Sequence, residues 1–166
     1  MLIRQITLAD SSSFLDLCKT IDSETPNMLL GKNERNLTVL EQEKKIEILL
    51  KNPNSNIWVV EDKNRLVGYL IASGNIISRK KHSVYIVIGI LKEFTNKKIG
   101  TALMHTLFDW SKENRITRIE LTVRRSNILA ISLYTKMGFI EEGIKRNSLY
   151  INSKYEDELY MAKIFT

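Results

Sequence analysis

The sequence predicts a mixed α/β fold: one mostly antiparallel, twisted sheet of about six or seven strands, with helices on both faces and one parallel crossover. Three observations carry this. Residues 84–91 form a near-continuous apolar run rich in β-branched side chains, as a strand buried on both faces requires. A short polar turn follows, and then a helix whose apolar stripe is Ile99, Leu103, Leu107 and Trp110. Residues 118–123 set Ile119, Leu121 and Val123 against Glu120 and Thr122, the alternation of a further strand. Strand, helix and strand in that order make a parallel crossover.

The remaining elements follow from local signals. Leu2 to Ile6 reads as a short strand, and Asp10 as the N-cap of a helix carrying Phe14, Leu15, Leu17, Cys18 and Ile21. The polar stretch from Asp22 through Glu24 to Asn27, continuing to Gly31, is too irregular for an element. Thr38 and Glu41 form a capping box that opens a helix running to Leu50, and Asn52-Pro53-Asn54-Ser55 ends it. Ile57–Glu61 and Leu66 to about Ile77 read as a hairpin around Asp62–Arg65. Asn127 is placed to cap a helix with Ala130, Leu133, Tyr134 and Met137 on its core face, and Gly138 to end it. Phe139 to about Tyr150 and Glu158 to Ile164 form a closing hairpin. With no repeat, low-complexity segment or linker, residues 1–166 read as a single domain.

Apolar residues make up 43% and charged residues 27% of the 166, the composition of a soluble globular protein. No apolar run approaches the roughly 20 residues of a membrane span, and the N-terminus has no signal-peptide core. The single cysteine, Cys18, lies on a core-facing helix stripe, so the expected compartment is the cytoplasm. One Cys and two His argue against a zinc site, and no metal is expected. The net charge is +6, but its basic pairs are scattered and lack interleaved aromatics, which argues against a nucleic-acid module. Apart from Lys97-Lys98, those pairs, Arg124-Arg125 among them, read as solvated surface. The sequence is compatible with a homodimer.

The turn Thr95-Asn96-Lys97-Lys98-Ile99-Gly100-Thr101 joins the apolar strand to its helix. A turn of this kind aims free N–H groups and a positive helix end at one spot, which suits a phosphate. The competing reading is an ordinary connection. The most specific pattern lies downstream: Asn127-x-x-Ala130-x-x-Leu133-Tyr134-x-x-x-Gly138-Phe139. Together with the turn at its distance before it and the order of elements, this pattern resembles the GNAT superfamily of acetyl-CoA-dependent N-acetyltransferases. Within that superfamily it is most similar to the ribosomal-protein alanine and the amino-acid N-acetyltransferases.

The resemblance implies a GNAT-like fold and roles for particular residues. The turn Thr95 to Thr101 would wrap the coenzyme A diphosphate, with Gly100 allowing close backbone approach. Ile88, Gly89 and Ile90 would pair along the pantetheine arm and hold the thioester carbonyl. Asn127 would bind near the pantetheine end, and Tyr134 would protonate the departing thiolate. The implied partners are acetyl-CoA and a primary amine, from a small molecule, an amino acid or a protein.

Two positions depart from the family. Lys98 stands where a glycine is usual, which a helix-start residue of ordinary negative φ would accommodate. Thr122 stands where the ribosomal-protein enzymes carry a glutamate base. Glu120, two residues earlier on the same strand face, and Glu24, where the family builds its acceptor site, are the candidate carboxylates. The missing base also keeps a second class of function in view, a catalytically silent acyl-CoA-binding sensor or scaffold.

Overall fold

The structure is a computed structural model that describes residues 1–165. Seven strands form one sheet: β1 (Leu2–Gln5), β2 (Asn56–Asp62), β3 (Arg65–Gly74), β4 (Ser83–Ile90), β5 (Arg118–Arg124), β6 (Ile140–Ile151) and β7 (Lys154–Ile164). Their spatial order is β1-β2-β3-β4-β5-β7-β6, antiparallel everywhere except between β4 and β5. The helices are α1 (Ser11–Glu24), α2 (Val39–Leu50), α3 (Ile99–Glu113) and α4 (Ile128–Lys136). None is long and apolar enough to cross a membrane among the described residues.

Helices cover both faces, and the register shows how. Val59 pairs with Tyr69, and Trp58 with Leu70, so neighbouring pairs point to opposite sides. Phe14 of α1 meets the Tyr69 ring edge-on at 5.3 Å, while Trp110 of α3 meets Trp58 at 5.4 Å on the other face. Val59, Val67, Leu70, Leu103, Met104, Leu107 and Ile119 are fully buried between these layers.

Local chemistry sets the boundaries. The Thr38–Glu41 capping box is present: the Glu41 N–H donates to Thr38 Oγ1 (3.2 Å) and the Thr38 N–H to the Glu41 carboxylate (2.7 Å). Asp10 stands at the start of α1 but does not cap it with its side chain. Its carboxylate instead accepts from the Thr7 N–H (2.8 Å) and closes a 3₁₀ turn over Leu8–Asp10. Both its oxygens also take the Arg4 guanidinium at 2.8 Å. A two-pronged arginine outcompetes a helix start for the same carboxylate.

Strand β3 stops at Gly74, short of the expected Ile77, because the Asn52–Ser55 turn lies against it. Ser55 Oγ accepts the Gly74 N–H (2.9 Å) and Asn52 Nδ2 donates to the Gly74 carbonyl (3.0 Å). Strand β7 begins at Lys154 rather than Glu158, since Asn152 and Ser153, at φ 50° and 62°, form a two-residue left-handed turn that extends the hairpin.

The hydrogen bonds from Arg4 hold the Asp10 carboxyl well below the usual carboxylate range. A depressed folded pKa stabilises the fold fully above the unfolded value, about 3.9, and that stabilisation is lost as pH falls through the folded value. Asp10→Asn is therefore expected to lower stability to urea at pH 7 and to matter progressively less below about pH 4. An equal loss at pH 7 and pH 2.5 would contradict the pairing.

Candidate active site

Strands β4 and β5 share only three register pairs, Ser83 with Arg118, Val84 with Ile119 and Tyr85 with Glu120. Past this point β4 stays with β3, down to Ile90 opposite Gly68, and β5 stays with β7, down to Arg124 opposite Glu158. No ladder joins β4 and β5 there among the described residues. The result is a slot in the sheet. One edge is Ile86 to Ile90, which includes Ile88, Gly89 and Ile90; the other is Leu121 to Arg124. At about 3.3 Å per residue the β4 edge runs for roughly 16 Å. Free strand edges of this kind accept an extended, amide-bearing ligand as if it were a strand.

At the open end, β4 passes through a 3₁₀ turn (Lys92–Phe94) into the start of α3. Thr95 Oγ1 donates to the Lys92 carbonyl and fixes this turn. Asn96 and Lys98 adopt left-handed conformations, φ 59° and 62°. The first bond into α3 is from Ala102 N–H to the Lys98 carbonyl, and the N–H groups of Asn96, Lys97, Lys98, Ile99, Gly100 and Thr101 reach no acceptor among the described residues. Alternating handedness turns consecutive N–H groups into one concavity, an anion-binding nest at a positive helix end. The Lys97 ammonium sits 4.5 Å from the centre of the Phe94 ring, at the same turn.

One expectation for this turn is corrected. Lys98 does not hold an ordinary helix-start φ. It occupies the left-handed conformation that explains a glycine there, at a cost of about 1–2 kcal/mol for a side chain with Cβ. For Gly100, a Cβ would fall 2.7 Å from Leu133 Cδ2. The glycine therefore lets α4 close against the first turn of α3, whatever it also does for a ligand.

Helix α4 carries the other two residues of the motif. Asn127 caps it, accepting the Ala130 N–H at 3.3 Å, and the Asn127 side-chain amide donates to nothing among the described residues. Gly138 follows the helix at φ 86°, as the sequence predicts. Tyr134 is only 6% exposed, packed on Phe139, and its hydroxyl makes no hydrogen bond among the described residues. Burial, reinforced by the nearby Tyr85 hydroxyl, pushes the Tyr134 hydroxyl above the ordinary tyrosine range, so it stays protonated at neutral pH.

On the α1 face, Tyr85, Arg118, Glu120, Thr122, Glu142 and Tyr160 line a cavity of about 530 Å³. Arg118 donates to Glu120 (2.9 Å) and to Glu142 (2.9 Å), which leaves Glu120 Oε1 without a partner among the described residues. Thr122 is engaged by Tyr85: the two hydroxyls lie 2.7 Å apart, and the Thr122 N–H donates to Tyr85 Oη at 3.3 Å. Tyr85 escaped the sequence analysis, although it is the one large polar side chain in an otherwise aliphatic strand.

Glu24 lies at the last residue of α1, not in the loop beyond it, and its carboxylate accepts the Lys92 N–H at 2.8 Å. Arg124, read from sequence as solvated surface, is buried instead. It holds Glu156 (2.9 Å), the Pro26 carbonyl (2.9 Å) and Asn27 Oδ1 (3.1 Å). The chain after α1 is thus fastened to the ends of both β4 and β5. Cys18 is buried, and burial pushes its thiol up to about 12, which leaves no thiolate for covalent chemistry at neutral pH.

Comparison with known proteins agrees with this architecture. Residues 19–139 match the family model described as "Acetyltransferase (GNAT) family", and the chain belongs to that family. It is 32% identical over 100 residues to the L-amino acid N-acetyltransferase AaaT of Escherichia coli, covering 60% of this chain and 62% of that protein. It is 33% identical over 75 residues to the ribosomal protein bS18-alanine N-acetyltransferase of E. coli, covering 45% of this chain and 51% of that protein. The chain thus spans less than two thirds of the length of either relative. An acetyltransferase of the GNAT family from Streptococcus pneumoniae superposes with a TM-score of 0.94 at 25% identity, covering 99% of both chains. The phosphinothricin acetyltransferase of Sinorhizobium meliloti, solved with acetyl-CoA, has the same fold at a TM-score of 0.87 and 16% identity, covering 99% of this chain and 88% of that one.

The strain at Lys98 has a measurable consequence. Lys98→Gly is expected to raise unfolding stability by about 0.5–1 kcal/mol, the relief of the left-handed backbone less the extra freedom of glycine in the unfolded chain. Urea denaturation measures it; a destabilised variant would mean that the lysine is not strained.

Proposed function

We propose that this chain moves an acetyl group from acetyl-CoA to a primary amine, by direct attack of the amine within a ternary complex. The observation that carries this reading is the Tyr134 hydroxyl: held protonated, without a partner among the described residues, and the accessible tip of an otherwise buried side chain, on the helix beside a slot whose strand edges are unpaired. A donor kept in that state has a use when a thiolate departs next to it.

The remaining residues divide the work. The nest from Asn96 to Thr101 takes the diphosphate, and Lys97 and Lys98 add positive charge. Thr95 supports the nest by closing the turn before it. The free edge at Ile88, Gly89 and Ile90 pairs with the pantetheine amides and directs an N–H at the thioester oxygen, where negative charge develops during attack. Asn127 offers its amide N–H groups to the pantetheine end. Glu120 takes the proton from the amine through its unpartnered Oε1, and Glu24 places a negative charge where a cationic acceptor enters. Cys18 takes no part. Positioning both reactants in one slot supplies much of the rate. The relatives named above act on an L-amino acid and on the alanine of a ribosomal protein, which supports an amine as the nucleophile.

Coenzyme A release, measured against a panel of amino acids, polyamines, aminoglycosides and peptides with free N-termini, tests the reading; no release with any acceptor would refute transfer. Tyr134→Phe is expected to lower kcat about ten-fold or more with little change in coenzyme A affinity. Full turnover by that variant would remove Tyr134 from the chemistry. Glu120→Gln is expected to flatten the acidic limb of the pH–kcat/KM profile, and an unchanged limb would exclude Glu120 as the base.

A further inference from the structure

We propose that Tyr85 closes the acyl end of the slot and limits the donor to short acyl chains. The inference rests on the function proposed above and adds a specificity-determining residue to it.

The slot has one open end and one closed end. The donor-rich turn before α3 lies at the open end, and the last ladder pair, Tyr85 with Glu120, at the closed one. A long thioester whose anionic groups sit in the turn must point its acyl group at the closed end. There the obstacle is a side chain rather than the backbone. Tyr85 leaves β4 and reaches β5 just past the ladder, where its hydroxyl meets Thr122 Oγ1 at 2.7 Å and receives the Thr122 N–H at 3.3 Å. Two bonds to two different groups of Thr122 hold the ring across the gap. They also occupy a β5 donor just past the ladder, which leaves the thioester carbonyl to the β4 edge.

Space is not what stops a longer chain. Beyond the Tyr85 ring lies the cavity of about 530 Å³, many times the roughly 30 Å³ that one water takes up in the liquid. The Tyr160 ring, on the same sheet face as Thr122, lines it beside the charged groups of Arg118, Glu120 and Glu142. Removing the phenol would join slot and cavity. Tyr85 belongs to the last ladder pair, so it stands where the slot closes and not at a remote rim.

The test is calorimetric binding of coenzyme A, acetyl-CoA, propionyl-CoA and butyryl-CoA, which needs no knowledge of the acceptor. Each thioester is referred to the affinity of the same variant for coenzyme A. The wild type is expected to bind acetyl-CoA more tightly than butyryl-CoA. Tyr85→Ala should shift that ratio toward butyryl-CoA by about ten-fold or more, the discrimination that added methylenes carry in an apolar pocket. Tyr85→Phe, which keeps the ring but loses both bonds to Thr122, should shift the ratio less than Tyr85→Ala does. An unchanged ratio in Tyr85→Ala with a native melting profile overturns the gate. Should Tyr85→Ala melt early, Tyr85→Leu is read by the same criterion, since leucine is too short to reach β5. A wild type that binds neither coenzyme A nor acetyl-CoA would overturn the underlying function and the gate with it. Binding of both with no shift on shortening Tyr85 would overturn the gate alone.

Discussion

The parallel ladder between β4 and β5 stops after three pairs, and the rest of the molecule is arranged around that stop. Each strand keeps its antiparallel neighbour to the end, so the sheet opens between them instead of fraying. Backbone groups left without partners in a buried place cost about 1–3 kcal/mol each. A sheet that carries such groups in its middle is incomplete in a particular way: it lacks one extended strand with amides at the right spacing. The turn before α3 adds the other half of the requirement, a concavity of free N–H groups where that strand would begin.

The two faces of the slot differ in chemistry. Toward α3 and α4 the lining is apolar, and Tyr134 is buried there with an unpartnered hydroxyl. Toward α1 lie Arg118, Glu120, Glu142 and the bonded pair Tyr85 and Thr122. In the proposed reaction a thioester between them would have the Tyr134 hydroxyl on one side and charged groups on the other. This asymmetry suits a reaction in which a thiolate leaves on one side and an ammonium proton must be removed on the other.

Much of this was legible in the sequence because it was carried by period and by turn chemistry. The alternation at Ile119, Leu121 and Val123, the helical stripe from Ile99 to Trp110, the Thr38–Glu41 box and Gly138 each reflect a local rule, and the structure obeys them. What escaped depends on contacts distant in sequence. Arg124 resembles any basic surface pair until Glu156 and the Pro26 carbonyl are folded against it. Asp10 is a nearer case: it sits where an N-cap would, but Arg4 of β1 and the Thr7 N–H take its carboxylate. Lys98 was misread because φ depends on the path of the chain out of β4, which no single residue announces. No local rule assigns Tyr85 a role; its place follows from the parallel ladder ending at its pair with Glu120.

The fastening of α1 has a mechanical consequence. The sheet consists of two plates, β1 to β4 and β5 with β7 and β6, hinged on a few parallel pairs. Glu24 grips the first plate through Lys92, and Pro26 and Asn27 grip the second through Arg124. Only Thr25 separates these grips, so the segment from Glu24 to Asn27 acts as a short strut across the opening. The width of the slot is therefore tied to the end of a helix far away in sequence, and inserting or deleting residues between Glu24 and Asn27 would retune that aperture while every residue lining it remained unchanged.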